Sequence, residues 1–150
     1  MHIMYICHGS ICRSAMAERV TRRLAEERGL DVRVSSTGTS SEELGNPMDS
    51  RAARLLAEHG YDADGHTARQ IDASLAEDVD LFVAAEKRHA RELERLGIDP
   101  DRVRLVSDFD PEAQPGDPLP DPWYGDMSDF EDTLAVLERA CPRILDEAAA

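Results

Sequence analysis

The stretch Ile3-Met4-Tyr5-Ile6-Cys7-His8-Gly9-Ser10-Ile11-Cys12-Arg13-Ser14 decides the fold of this chain. Its first four residues are an apolar run that predicts a buried strand, and the residues after Arg13 have the spacing of an amphipathic helix. The short loop between them carries a cysteine, a glycine and an arginine. At such a junction, backbone N–H groups and the positive end of the helix dipole gather around an anion. A thiol placed there ionises more easily than an ordinary cysteine, so the segment offers a nucleophile beside an anion cradle.

Strands and helices alternate along the rest of the chain, which predicts an α/β fold. We expect a single three-layer domain over residues 1–150, with a four-stranded parallel twisted sheet flanked by helices on both faces and a phosphate-binding loop after the first strand. The predicted strands are residues 3–7, 32–35, 79–84 and 102–106. The predicted helices are residues 14–28, a helix opened by Asn46-Pro47 and ending at Gly60, residues 87–96 and residues 129–145. Pro142 is expected to kink or shorten the last helix, and residues 36–40 and 62–73 are expected to be loops.

The composition excludes several classes of protein. The formal net charge of −14, from 31 acidic and 17 basic residues, argues against a nucleic-acid or anionic-membrane surface. A small pocket lined by N–H groups can still be locally positive. Three cysteines are an odd number that fits no secreted disulfide framework, and the N-terminus lacks the pattern of a signal peptide. The expected compartment is therefore a reducing cytoplasm.

Two features point to phosphate chemistry. The spacing C-x5-R lets the loop curl so that its N–H groups converge on one anion, while Arg13 supplies a bidentate fork for two phosphoryl oxygens. Residues 107–127 form a long segment rich in Asp and Pro that follows the fourth predicted strand. Ligands of parallel sheets bind beyond the carboxyl ends of the strands, where this segment and the Cys7 loop both lie. A long loop without periodicity in a compact domain is usually functional.

The chain resembles the low-molecular-weight protein tyrosine phosphatase family in four motifs. The family's C-x-G-N-I-C-R-S-P-x-A-E signature appears as residues 7–18, and its S-A-G-T motif as Ser36-Thr37-Gly38-Thr39. Its D-H-x-A-x-Q region is similar to Gly65-His66-Thr67-Ala68-Arg69-Gln70. Its D-P-[YW]-Y-G motif is Asp121-Pro122-Trp123-Tyr124-Gly125. These matches fall in order across nearly the whole chain.

The resemblance implies a cysteine-dependent phosphatase that hydrolyses phosphotyrosine in two steps. Cys7 would attack phosphorus and form a phosphocysteine, and Asp121 would first protonate the leaving phenol and then activate water. Arg13 would hold the phosphoryl oxygens together with the loop. The implied phosphate-binding residues are His8, Gly9, Ser10, Ile11, Cys12, Arg13 and Ser14. The implied loop supports are Ser14, Ser36 and His66, and the implied substrate wall is Glu42, Trp123 and Tyr124.

The resemblance implies no metal and no organic cofactor. The expected partners are a phosphotyrosine-containing protein as substrate and inorganic phosphate as product and competitive ligand, with neither nucleic acid nor membrane. Cys12 is either an inert thiol or, as the resemblance implies, the partner of Cys7 in a reversible disulfide that protects it from over-oxidation.

Three single positions and one short stretch depart from the family pattern. Ser10 stands where Asn is usual, and because Ser tolerates a left-handed backbone less well, a different or weaker support of the loop is expected. Ala15 replaces a Pro, and Glu86 replaces an Asp. Residues 41–43, Ser-Glu-Glu, stand where the family often has an aromatic residue. These two carboxylates are expected to repel acidic phosphopeptides and to weaken stacking on the substrate ring.

Three alternatives remain open at this stage. An arsenate reductase on the same fold would relay a disulfide through further cysteines, but residues 81–90 have none and Cys141 is predicted on the far helix. A phosphoarginine phosphatase is disfavoured because the members associated with that activity carry Thr where this chain has Ile11. A phospho-ligand binding module without catalysis is disfavoured because Cys7, Arg13 and Asp121 are all present.

Overall fold

The apolar segment that opens the chain is a central strand of the sheet. In the computed structural model, which describes residues 1–149, β1 (His2–Cys7) lies between β2 (Arg33–Gly38) and β3 (Leu81–Ala84), and β4 (Val103–Leu105) pairs with β3. Every pairing is parallel, which confirms the predicted four-stranded parallel sheet. Parallel strands bring their carboxyl ends to one edge, and there Cys7 of β1 is the register partner of Gly38.

Helices cover both faces of this sheet. They are α1 (Arg13–Arg28), α2 (Ser50–Glu58), α3 (Ala73–Ala76), α4 (Lys87–Arg95) and α5 (Met127–Ala149). Because side chains of a strand alternate between faces, Ile3 and Tyr5 join the apolar core with α1, α2 and α5, whereas Met4 and Ile6 join the core with α3 and α4. The predicted three-layer arrangement is confirmed.

The prediction of a loop at residues 36–40 was wrong for its first half. Ser36, Thr37 and Gly38 are the last residues of β2 and pair with the end of β1. Their polar side chains suggested a loop, but both hydroxyls are buried and have partners. Ser36 Oγ lies 3.3 Å from Glu18 Oε1, and Thr37 Oγ1 lies 3.4 Å from the Met4 sulfur. Burial of a satisfied hydroxyl is compatible with a strand.

The predicted start of the second helix at Asn46-Pro47 was also wrong. The helix begins at Ser50, and its N-cap is Asp49, whose carboxylate accepts hydrogen bonds from the backbone N–H groups of Arg51 and Ala52. Asn46 instead lies in a segment without regular structure, where its carbonyl accepts a hydrogen bond from the Ala68 N–H at 2.8 Å. A carboxylate that reaches two helical N–H groups is the stronger cap.

The last helix is longer than predicted, and Pro142 does not shorten it. It runs from Met127 to Ala149, and its apolar face stays buried beyond the proline at Ile144, Leu145 and Ala148. Burial of these side chains offsets the single hydrogen bond that the proline removes. The short helix α3 was not predicted, and 3-10 turns lie at Pro100–Arg102 and Val106–Phe109. The other predicted elements end within two residues of the observed ones.

Within residues 1–149, no helix combines the length and the apolar character needed to cross a membrane.

Candidate active site

The loop between β1 and α1 rests against the end of β2. The carbonyl of Cys7 accepts a hydrogen bond from the Thr39 N–H at 2.9 Å, and the carbonyl of His8 accepts one from the Ser40 N–H at 3.0 Å. A Cβ atom on Gly38 would lie 2.5 Å from the His8 carbonyl oxygen. Glycine is therefore required at position 38, because any side chain there would push the loop away from the strand.

The far half of the loop is fixed by two residues from elsewhere in the chain. The Ser10 carbonyl accepts a hydrogen bond from His66 Nε2, and the Ile11 carbonyl accepts one from the Asp49 N–H at 2.9 Å. With the carbonyls turned outward, the backbone N–H groups of residues 9–13 find no acceptor among residues 1–149. A ring of unpaired N–H groups is a site for an anion.

Ser10 has the left-handed backbone that the loop demands, with φ of 64°, and it is the only non-glycine residue with positive φ among those described. Ser10 thus adopts a conformation that Asn tolerates better than Ser, and the weaker support of the loop stays a prediction. Its hydroxyl is buried and has no hydrogen-bond partner within the described chain. His66, which holds the Ser10 carbonyl, is buried too, and this burial lowers its pKa although the hydrogen bond to Ser10 opposes the shift.

Cys7 and Arg13 lie at the two ends of this loop. Cys7 Sγ lies 3.1 Å from Ser14 Oγ, so the Ser14 hydroxyl can donate a hydrogen bond to a thiolate. Arg13 is only 2% exposed. Its Nη1 donates to Glu86 Oε2 at 2.7 Å and to the Leu119 carbonyl at 2.9 Å, while its Nη2 has no hydrogen-bond partner in residues 1–149. One edge of the guanidinium group is thus anchored and the other is available to a ligand.

Glu86 was underestimated from the sequence. It was noted only as the replacement of an Asp in the family pattern, and it follows the end of β3 at the edge of the sheet where Cys7 lies. Burial would raise the pKa of its carboxyl group, but hydrogen bonds from Arg13 and Arg88 outweigh burial and lower the pKa. Glu86 is therefore an ionised carboxylate that fixes the orientation of Arg13.

Asp121 stands across the pocket from the loop on a segment without regular structure. Its Oδ2 lies 3.6 Å from Arg13 Nη2, and its Oδ1 accepts a hydrogen bond from the Trp123 N–H at 3.1 Å. The segment is tied down by Leu119, whose N–H donates to the Ala85 carbonyl at 2.8 Å. The structure thus brings together Cys7, Arg13 and Asp121, which the sequence analysis selected as candidate catalytic residues.

One open pocket of about 360 Å³ contains these groups. Its remaining wall includes Glu42, Glu43, Arg88, Trp123 and Tyr124. Glu42 is highly exposed and its Oε2 lies 3.2 Å from His8 Nε2, while Tyr124 is 95% exposed. The sequence analysis predicted Glu42, Trp123 and Tyr124 as the substrate wall. It missed Arg88, because no pattern connects the start of α4 with the mouth of a pocket.

Three further residues, Ser36, Cys12 and His89, lie near the loop, and of these only Cys12 lines the pocket. Ser36 contacts Glu18 rather than the loop, so any support that it gives is indirect. Cys12 is a free, buried thiol, and burial, followed by the charge of Asp49, raises its pKa well above the usual range. It is therefore protonated at neutral pH.

His89 on α4 is buried, and neither of its ring nitrogens has a partner among the described residues. Burial lowers its pKa to about 4, assisted by the positive charges of Arg13 and Arg88 and by His8, while Glu86 acts in the opposite direction. The histidine is consequently neutral in the folded protein at pH 7.

Comparison with known proteins places these features in a family. A family model described as low molecular weight phosphotyrosine protein phosphatase matches residues 2–150. Low molecular weight protein-tyrosine phosphatase A of Mycobacterium tuberculosis is 42% identical over 149 residues, which covers 97% of this chain and 90% of that protein. A crystal structure of a protein tyrosine phosphatase from Entamoeba histolytica superposes with a TM-score of 0.90 at 27% identity, covering 100% of this chain and 99% of the other.

The same fold is found in a Drosophila arginine phosphatase, with a TM-score of 0.88 at 26% identity and coverage of 100% of this chain and 99% of the other. The family model nevertheless spans nearly the entire sequence, and the motifs predicted it independently. The chain belongs to the low molecular weight phosphotyrosine protein phosphatase family of cysteine-based enzymes.

Proposed function

We propose that this protein is a tyrosine phosphatase in which Cys7 is the nucleophile, Arg13 binds the phosphoryl group and Asp121 is the general acid. The observation that carries the proposal is that Cys7, the unpaired Nη2 of Arg13 and Asp121 face one pocket. The unpaired N–H groups of residues 9–13 and Arg13 fit a phosphoryl dianion in number and charge. Cys7, with Ser14 at hydrogen-bond distance, lies at the base of that cradle.

In the first step, the Cys7 thiolate attacks phosphorus and an S–P bond forms as the bond from phosphorus to the phenolic oxygen breaks. Asp121 donates its proton to that oxygen, so tyrosine leaves as a neutral phenol and Asp121 becomes a carboxylate. Arg13 and the loop N–H groups hold the three equatorial oxygens, whose charge changes little in a loose transition state. Glu86 holds Arg13 in place during this step.

In the second step, water attacks the phosphorus of phosphocysteine. The Asp121 carboxylate takes one proton from that water, the S–P bond breaks, and Cys7 leaves as a thiolate. Inorganic phosphate is released, and Asp121 is again protonated for the next cycle. Ser14 can donate its hydroxyl to the departing thiolate.

The mouth of the pocket favours a phosphotyrosine in a basic context. Glu42 and Glu43 line one side, and no aromatic residue stands there to face Trp123. Glu43 is held by Asn46, whose Nδ2 donates to its Oε2 at 2.7 Å, while the exposed Glu42 contacts His8 Nε2 through one carboxylate oxygen and can also meet a substrate side chain. A Lys or Arg next to the phosphotyrosine would pair with these carboxylates, and an acidic neighbour would be repelled.

The substrate is thus a phosphotyrosine-containing protein, and inorganic phosphate is both product and competitive ligand. We place the enzyme in a reducing compartment, the cytoplasm, because the proposed chemistry needs Cys7 as a free thiol and all three cysteines are free and buried.

The discriminating experiment compares hydrolysis of one peptide sequence that carries phosphotyrosine, phosphoserine or phosphoarginine at the same position. We expect phosphotyrosine to have the highest kcat/KM, because Ile11 offers an apolar contact and no hydroxyl to a guanidinium-linked phosphate. The Cys7→Ser variant supplies the background rate. A higher kcat/KM for phosphoarginine would instead assign the two carboxylates at the mouth to a guanidinium group and would reject the tyrosine assignment.

A further inference from the structure

Arg51, the second residue of α2, holds the segment that bears Asp121. Its Nη2 donates to the Trp123 carbonyl at 3.0 Å and its Nη1 donates to the Gly125 carbonyl at 3.1 Å. Its guanidinium carbon also lies 5.6 Å from the centre of the Trp123 ring and 4.7 Å from that of Phe130. One side chain therefore fixes both the backbone and the aromatic surface of a segment that has no helix or strand of its own.

Arg51 is itself held rigidly by Asp49. Nε donates to Asp49 Oδ1 at 3.2 Å and Nη2 donates to Oδ2 at 3.0 Å, which is the bidentate geometry that only arginine supports. Burial would raise the pKa of Asp49, but the hydrogen bonds from Arg51 outweigh burial and lower it. Asp49 is thus an ionised partner for Arg51.

Asp49 also contacts the other half of the site. Its backbone N–H donates to the Ile11 carbonyl in the phosphate loop at 2.9 Å. The start of α2 therefore contacts both functional segments. Asp49 contacts the phosphate loop, and Arg51 contacts the segment that bears Asp121. The residues before Asp121 are held by Arg13 at the Leu119 carbonyl and by Thr133 at the Pro120 carbonyl, whereas Arg51 holds the residues that follow it.

We propose that Arg51 is a positioning residue that sets the place of Asp121 relative to the phosphate loop. It acts through the backbone of Trp123, where the carbonyl accepts a hydrogen bond from Arg51 and the N–H donates one to Asp121. The inference rests on the proposed function, in which Asp121 is the general acid. Loss of Arg51 should therefore impair proton transfer to the leaving group and leave phosphate binding by the loop intact.

The test uses Arg51→Gln, Arg51→Lys and, as a matched control on the same helix, Arg54→Gln. The Arg54 side chain is 73% exposed, and within residues 1–149 it pairs only with Glu58. Rates are measured with phenyl phosphate and with p-nitrophenyl phosphate, whose leaving group needs less protonation. Competitive inhibition by inorganic phosphate reports the loop. Trp123 is the only tryptophan in the chain, so quenching of its fluorescence by acrylamide reports the acid-bearing segment directly.

We expect Arg51→Gln to lower kcat for phenyl phosphate by about ten- to a hundredfold, since small misplacements of a catalytic group have effects of this size. The loss for p-nitrophenyl phosphate should be several-fold smaller, and phosphate inhibition should stay within about twofold of wild type. Trp123 should become more accessible to quencher. Adding Arg51→Gln to Asp121→Asn should cost little more, because both changes remove the same function. Arg54→Gln should behave like wild type.

Equal losses for both substrates, or full additivity with Asp121→Asn, would overturn the positioning role. If Arg51→Gln does not fold, Arg51→Lys serves the same test, because lysine keeps the charge but cannot make the bidentate contact. A rate of Arg51→Lys equal to that of wild type would reject the proposal. A wild-type protein that hydrolyses neither ester would instead reject the proposed function. Unchanged Trp123 quenching in Arg51→Gln would then reject the Arg51 contact independently.

Discussion

The two segments that meet in the pocket are held in contrasting ways. The phosphate loop is enclosed: Cys7, Ser10 and Arg13 are at most 3% exposed, and its carbonyls are held from three separate parts of the chain. The segment that bears Asp121 is open, and the Asp121 side chain is 41% exposed. Its attachment depends on a few side chains, among them Arg51 and Thr133, whose Oγ1 donates to the Pro120 carbonyl at 3.1 Å.

This difference matches what each segment is proposed to do. A cradle for a dianion works best when its dipoles are fixed before the ligand arrives, since no energy is then needed to orient them during the reaction. A general acid must approach a leaving group and later a water molecule, so an open segment on a few tethers suits it. Rigidity and access are thus divided between two loops.

The largest effect is expected at Cys7, in the enclosed loop. Replacing Cys7 with Ser removes the nucleophile, and we expect aryl phosphate hydrolysis to fall by on the order of a millionfold, as when the nucleophile of a covalent mechanism is lost. Phosphate should still bind with similar affinity, because the loop N–H groups and Arg13 are unchanged. Steady-state rates and isothermal titration with phosphate measure the two effects, and substantial residual turnover would contradict the nucleophilic role.

Asp121→Asn addresses the open segment. Removing the general acid should slow phenyl phosphate by about 100- to 10,000-fold, and p-nitrophenyl phosphate clearly less. A plot of log kcat against the pKa of the leaving group should become steeper than for wild type. An unchanged slope with a uniformly lower rate would show that Asp121 does not transfer the proton.

The buried surroundings of the phosphate loop include His89, which should make the free energy of unfolding depend on pH. The pKa of His89 is lowered to about 4 in the fold, against about 6.5 in an unfolded chain. The unfolded state therefore binds more protons at intermediate pH, so His89 costs nothing above pH 6.5 and destabilises the fold progressively as the pH falls to 4. The expected loss is on the order of 3 kcal/mol.

Urea unfolding of wild type and of His89→Leu at pH 7 and pH 4.5 measures this effect. The variant should lose less stability on acidification, because it cannot take up the proton. His59→Gln, which replaces an exposed histidine on the surface, is the matched control and should follow wild type. Parallel pH dependence of His89→Leu and wild type would show that other groups dominate.

Ser10→Gly examines the strained point of the enclosed loop. Glycine removes the cost of about 1–2 kcal/mol that a left-handed backbone imposes on other residues, and it removes an unpartnered hydroxyl. Greater freedom of glycine in the unfolded chain opposes this by about 0.5–1 kcal/mol. We expect the free energy of unfolding to rise by about 0.5–1 kcal/mol in urea titrations. A clear loss of stability would mean that the Ser10 hydroxyl is held by a group such as buried water.

The smallest effect is expected at the mouth. Glu42→Lys should improve kcat/KM for phosphotyrosine peptides with acidic neighbours by about two- to fivefold, since exposed ion pairs contribute little. The gain should disappear at high salt. Glu58→Lys, the same change at the last residue of α2 and outside the pocket, controls for the general effect of charge. Equal gains in both variants would attribute the change to net charge rather than to the mouth.

The sequence predicted the local parts of this site and missed the connections between them. The strand before Cys7 and the helix after it follow from apolar spacing, and Cys7, Arg13 and Asp121 follow from motifs. The contacts of Asp49 with Ile11 and of Arg51 with Trp123 join residues far apart in sequence, and no periodicity indicates them. They became visible only when the topology brought α2 beside both loops.

The errors in the fold have a similar cause. Ser36 and Thr37 have the composition of a loop, and only their pairing with β1 and their buried partners make them a strand. Asn46-Pro47 has the composition of a helix start, but Ala68 pairs with Asn46 and leaves Asp49 to cap the helix. Tertiary pairing outweighs local preference in both places.

The central position of β1 has a consequence for the synthesis and folding of the enzyme. β1 is made first, yet its second neighbour, β3, and the Arg13 partners Glu86 and Leu119 are made much later. Parallel pairing over such separations is slow, because loop closure must precede the contacts that reward it. A nascent chain that ends before Glu86 therefore lacks the contacts that orient Arg13. We expect full reactivity toward phosphate esters only after the whole topology has closed.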